Sequence, residues 1–253
     1  DLLEKLRKPV SFTVVRPPTS VGGAAGIGTG GAAGLGEFFS GIWSGVRNLL
    51  NYTTYYQMKE RAGLVGANGL NPILRALKAE HAGLKLHLIG HSFGGRLVTA
   101  TIAGPNEAAL LPVSTLSLLQ AAFSHYGFAK EWDGTNNGFF HRVVSAQAVS
   151  GPTMITCTAN DRAVGLAYPI ASLLAGQVAA GIGDKNDKYG GIGRNGAQKT
   201  PKTTDMHLLD GTTFYQLTKG GVHNLSTDRF IKDHGDVDNK EVVYAVASAI
   251  AAM

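Results

Sequence analysis

Apolar and polar positions along the chain fall into short alternating blocks, each about the length of one strand or one helix. Residues 10–15 (VSFTVV) form a run rich in β-branched side chains and read as a buried strand closed by Pro17-Pro18. Residues 49–57 (LLNYTTYYQ), 84–90 (LKLHLIG), 113–119 (VSTLSLL), 152–158 (PTMITCT) and 212–217 (TTFYQL) have the same character. Helical spacing takes over between them. Asn71-Pro72 can open a helix, with Asn as the cap and Pro tolerated in the first turn; ILRALKAEH continues it and Gly83 supplies its stop. Residues 95–103 (GRLVTATIA) make a second helix, broken by Gly104-Pro105, and 241–253 (EVVYAVASAIAAM) a closing one. Strands alternating with helices predict βαβ units and a largely parallel sheet in one α/β domain spanning 1–253.

Two stretches break the rhythm. Residues 21–36 (VGGAAGIGTGGAAGLG) lack the large side chains that stabilise a helix or strand, and read as a flexible segment. In the block that follows, EFFSGIWSGV, Phe38, Phe39, Ile42, Trp43 and Val46 sit at roughly helical spacing. This block is read either as a short helix packed on the body or as a flap presenting aromatics to a lipid or ester surface. Residues 181–205 are long and polar, and are expected to be a variable loop; 162–205 as a whole could roof a site.

Composition narrows the picture. With 44% hydrophobic and 16% charged residues, the chain is globular in character and long enough for a substantial core. The formal charge of +5 is scattered singly, so Lys185, Lys188, Lys199 and Lys202 read as a solvated loop and no nucleic-acid partner is expected. One cysteine, Cys157, excludes an intrachain disulfide and offers no metal spacing; within MITC it reads as a strand residue. No run of about 18 apolar residues occurs, which argues against a spanning helix. Because the chain begins at Asp1 and not at Met, an upstream segment stays open and the sequence assigns no compartment.

The candidate chemistry lies at residues 90–94, Gly90-His91-Ser92-Phe93-Gly94, a G-x-S-x-G pattern between an expected strand and an expected helix. A serine on such a turn is held in a strained conformation that lifts its hydroxyl clear of the sheet. The flanking glycines are expected to remove Cβ atoms that would collide with strand and helix. The helix N-terminus below adds backbone N–H groups, that of Phe93 first, able to meet an oxyanion.

The stretch LHLIGHSFGGRLV resembles the nucleophile turn of α/β-hydrolase esterases and lipases, and the order of elements over nearly the whole chain is similar to that family. The resemblance implies an α/β-hydrolase fold with 10–15 and 49–57 as its third and fourth strands. It implies Ser92 as nucleophile, then an acid after a late strand, then a histidine after the last. Asp161, directly after PTMITCT, takes the acid's place, although an Asp there also suits a helix cap. His223 and His234 both follow FYQL. His234, in the loop before the closing helix, is preferred and His223 is the alternative. His81, His87 and His207 precede the required position, and His91, adjacent to Ser92 on the strained turn, is expected to point elsewhere. The second oxyanion donor falls to Thr19 or Ser20, because Pro17 and Pro18 have no N–H; the family's His-Gly signature is absent there.

Ligands of parallel sheets bind beyond the carboxyl ends of the strands, so His91, Gln120, Phe123 and His125 are expected near Ser92; residues 162–181, with Tyr168, read first as a sheet-covering helix and alternatively as a roof over the site. Core packing explains Phe123 and Phe128 equally well. Two matches to G-x-G-x-x-G, at 26–31 and 191–196, neither follow a strand nor open a clear helix, and no cofactor or metal is expected. The resulting expectation is carboxylic-ester hydrolysis through an acyl-enzyme, on a small-molecule, lipid-like or polyester substrate. Thioester or amide hydrolysis by the same residues, a non-catalytic binding protein on this scaffold, and nucleotide-dependent oxidoreduction are the alternatives.

Overall fold

The computed structural model describes residues 57–161, 163–165, 185 and 188–253. The expectations for 10–15, 21–36 and 38–46, and those for Thr19, Ser20 and Tyr168, lie outside these residues, as does the run 49–57 except its last residue, which is helical. The described residues all belong to one compact unit, Arg47–Met253.

Five strands form an all-parallel sheet: β1 (His87–His91), β2 (Thr115–Leu119), β3 (Thr153–Cys157), β4 (Thr203–His207) and β5 (Val222–Ser226), in the order β1-β2-β3-β5-β4. Helices flank it. A helix over 57–64, α1, passes through a π-helical stretch, Val65–Leu70, into α2 (Asn71–Glu80). α3 (Phe93–Ala103) follows β1, short helical turns α4 (His141–Ser145) and α5 (Ile192–Asn195) come later, and α6 (Lys240–Ala251) closes the chain.

The strands show why runs of apolar residues, and not simple alternation, marked them. β2, β3 and β5 are buried at nearly every position, with both of their faces covered. Leu116, Leu118, Ile155 and Val222 point into a core shared with Val98 and Ile102 of α3. On the opposite face Leu119, Met154 and Leu225 pack with Val242, Ala245 and Ala249, whose spacing defines one stripe of α6.

Several expectations are corrected. Residues 212–217 are no strand; Phe214 is 82% exposed. Its β-branched and aromatic composition finds no partner strand there, and β-propensity follows such partners. The last central strand is β5, five residues further on. It was hidden because its buried positions include His223 and Asn224, which read as polar loop. Asn224 is satisfied internally, its Nδ2 donating to the Ala197 carbonyl (3.1 Å) and to Asp205 Oδ1 (2.9 Å), whereas His223 is satisfied at one nitrogen: Nε2 accepts from the Thr218 N–H (3.1 Å) and the buried Nδ1 has no hydrogen-bond partner among the described residues. The expected 181–205 loop contains α5 and the first residues of the edge strand β4, whose TTDMH sequence carries little apolar signal.

The helix boundaries also differ in their chemistry. Asn71 does not cap α2, because the helix continues from the preceding turns. Its buried side chain instead donates to the Thr101 and Ala109 carbonyls (2.7 and 2.8 Å), fastening α2 to the end of α3. Gly83 does not stop α2 through a left-handed conformation; the helix ends at Glu80, with His81 leaving the helical region. Gly104 does break α3, at φ +62°. Among the described residues no helix is long and apolar enough to cross a membrane.

Candidate active site

Parallel strands end on the same edge of a sheet, so the segments after β1, β3 and β5 are brought together by topology alone. Ser92 follows β1 directly and is the cap of α3, at φ 54° and ψ −124°, a region that non-glycine residues avoid. The surroundings hold it there. The Ser92 N–H donates to the Leu119 carbonyl (3.1 Å), while the Ser92 carbonyl accepts from Gly95 (3.1 Å) and Ala122 (2.9 Å). The turn is thereby stitched to the segment after β2.

Close approach of backbone explains part of the glycine pattern. A Cβ on Gly90 would lie 2.5 Å from the Gly94 carbonyl oxygen, so a side chain cannot fit. Gly94, in contrast, faces open space, which corrects the expectation that both flanking glycines avoid collisions. Gly95 makes the second close contact: its Cβ would meet that of Ala121 at 2.5 Å.

Asp161 lies four residues beyond β3 and is completely buried. Its Oδ1 accepts from the Val164 N–H (2.9 Å), so it caps the helical turn at 163–165, as the sequence allowed; its Oδ2 is 2.8 Å from His234 Nδ1. His234 Nε2 in turn lies 2.8 Å from Ser92 Oγ. An ionised carboxylate only accepts, so the hydrogen of that pair sits on Nδ1 and leaves Nε2 to accept from the Ser92 hydroxyl. Three residues separated by up to 142 positions form one hydrogen-bonded row.

Two residues without any motif signal align the row. Asp228, just past β5, accepts from the Ala159 N–H (2.8 Å) and from the Thr158 hydroxyl. Asn160 Nδ2 donates to the carbonyls of Asp228 (3.1 Å) and Ile231 (2.8 Å). These bonds tie the turn that carries Asp161 to the loop that leads to His234. A loop Asp and a loop Asn are too common for sequence alone to single them out.

The alternative base, His223, is placed differently. It sits inside β5, paired with Met154 and Thr204, and is 1% exposed. Burial pushes its imidazole below the ordinary value of 6.5, against an opposing hydrogen bond with the Thr218 backbone.

The remaining candidate residues take varied places. His91 is half-buried against His234. Gln120 is fully buried at φ 44°; its N–H donates to Thr156 Oγ1 (3.1 Å) and its Oε1 accepts from that hydroxyl (2.9 Å). Phe123 packs edge-on against Phe128 and Phe140 in the core, and also borders a cavity of about 330 Å³ with Lys59, Arg96, Trp132 and Phe139. Burial and the nearby Arg96 hold Lys59 down to about 8. His125 is buried, its Nδ1 3.2 Å from Asn195 Nδ2. Beside the row, a cavity of about 520 Å³ is lined by Ala159, Asn160, Ala163, Lys232, Asp233 and His234.

Two other sequence features acquire roles in packing. Gly193, inside the 191–196 glycine pattern, lets α5 lie on the backbone of Gln120; a Cβ there would come within 2.5 Å of it. Burial, followed by the Asp205 and Asp228 carboxylates, pushes the Cys157 thiol up to about 12, so it is not a thiolate at neutral pH. No cluster of three or more His, Cys, Asp or Glu side chains able to hold a metal ion occurs among the described residues. No protein-family model, curated protein or solved structure matches the chain.

Proposed function

We propose that this chain is a serine hydrolase of the α/β-hydrolase fold that cleaves carboxylic esters through an acyl-enzyme. One observation carries the reading: Ser92 Oγ, His234 and the buried Asp161 stand in a continuous row with 2.8 Å at each joint. That geometry suits proton transfer from a hydroxyl to an imidazole that a carboxylate orients. The order along the chain, Ser after β1, acid after β3 and His after β5, also agrees with what the resemblance implies.

In this scheme the Ser92 oxygen attacks the ester carbonyl carbon while its proton passes to His234 Nε2. Asp161 stabilises the resulting imidazolium. Negative charge on the former carbonyl oxygen meets the Phe93 N–H at the start of α3. Collapse of the tetrahedral species expels the alcohol, which takes the proton from His234. Water then enters, gives one proton to His234 and bonds through its oxygen to the acyl carbon. Collapse breaks the bond to Ser92 Oγ, which takes that proton back from His234, so ester plus water become acid plus alcohol and the Ser92 hydroxyl is restored. Thioesters and amides use the same steps, and relative rates among the three acyl classes separate them.

A fluorophosphonate probe tests the assignment. Folded wild-type protein is expected to carry one adduct, mapped to Ser92 by mass spectrometry. Ser92→Ala should lose labelling and at least about 10⁴-fold of its turnover of short p-nitrophenyl esters. Folded protein that stays unlabelled would favour a binding protein on this scaffold, and turnover that survives Ser92→Ala would remove Ser92 from the chemistry.

A further inference from the structure

The residue before the candidate nucleophile has no part in that scheme, yet it touches the candidate base twice. His91, the last residue of β1, places its Nε2 2.7 Å from the backbone carbonyl oxygen of His234, 143 positions away. The two rings also pack together, centroids 4.8 Å apart and planes tilted by 39°. A carbonyl oxygen only accepts, so His91 Nε2 carries a hydrogen and donates it.

The loop bearing His234 is closed on itself. The Lys232 N–H donates to Asp236 Oδ2 (2.9 Å) and the Gly235 N–H to Asp233 Oδ1 (2.8 Å). This small unit is joined at its main chain to His91, whose neighbour is Ser92. The Ser92 turn is itself rigid, being strained and stitched to the segment after β2. Fixing the main chain of residue 234 to residue 91 therefore references base and nucleophile to one body. Asp161 sets the direction of the imidazole, and His91 sets how far its backbone stands from the turn.

We propose that His91 is a positioning residue whose Nε2–H clamps the main chain of His234 onto the nucleophile turn and holds the imidazole at reacting distance from Ser92 Oγ. The proposal rests on the reading of Ser92, His234 and Asp161 as the reacting row. Because the clamp acts on the distance between reacting groups and not on substrate, its loss belongs in kcat and not in KM.

Two substitutions separate the hydrogen bond from the ring contact. His91→Phe keeps an aromatic ring but no donor; His91→Gln keeps a donor at a similar reach but no ring. The expected result for the Phe variant is a tenfold to hundredfold fall in kcat, of the order that small misplacements of reacting groups cause, with KM within about twofold. The Gln variant should recover most of that loss. Wild-type kcat in the Phe variant, or equal losses in both, would overturn the clamp. If the Phe variant does not fold, the ring ¹⁵N shifts of the wild-type protein decide the matter without activity. A proton on His91 Nε2 is required, and the opposite tautomer overturns the proposal. That measurement is independent of fluorophosphonate labelling, so failure of the clamp and failure of the hydrolase reading remain distinguishable.

Discussion

Under the proposed hydrolase reading, Asp161 serves stability and chemistry through different atoms. Its Oδ1 caps the turn at Val164 and its Oδ2 orients His234. Substitutions should therefore split the two roles. Asp161→Asn retains an oxygen for the cap but loses the charge that supports an imidazolium. Its kcat is expected to fall about 10⁴-fold, as for an acid of this kind, at nearly unchanged thermal stability. Asp161→Ala loses both, and adds about 1 kcal/mol of destabilisation, the ordinary value of an N-cap. Thermal melts and ester kinetics on the pair would check this; a Asn variant as unstable as the Ala variant would contradict the division.

At the scale of elements, the joint between β1 and α3 is built by close approach. Gly90 lets the strand pass under the first turn of α3, and Gly95 lets α3 lie on Ala121 after β2. Gly94 does neither. Gly95→Ala should consequently cost about 1–3 kcal/mol, the usual penalty for forcing extra volume into a packed contact. Gly94→Ala should be neutral or stabilise by up to about 1 kcal/mol, since alanine is the better helix former. Urea denaturation of the two variants tests the ranking, and equal losses would show that the contact at Ala121 relaxes.

For the molecule as a whole, β5 connects stability to pH. His223 lies within this central strand and its pKa is lowered by burial. As the pH falls below about 6.5, the unfolded chain takes up a proton at this residue that the folded chain resists. The folded state is then disfavoured, and stability drops with acidification until the depressed folded value is reached. The melting temperature should fall between pH 7 and pH 5 more steeply in the wild-type protein than in His223→Gln. Identical slopes would mean that His223 titrates alike in both states.

The local readings survive where chemistry is local. The strand before Ser92, the turn, α3 with its Gly104 break and the closing helix α6 were legible because each depends on a few consecutive residues and the period of their apolar positions. Asp161 and His234 were singled out only by their order along the chain, with His223 left beside His234. Tertiary structure decided what order could not. It placed His223 inside a strand, gave 212–217 no partner, and moved the close glycine contact from Gly94 to Gly95. It also brought His91, Asn160 and Asp228 to bear on the row. The reason is physical: a polar side chain has no characteristic period, and whether it reacts, packs or holds another group depends on neighbours that only the folded sheet brings within hydrogen-bonding distance.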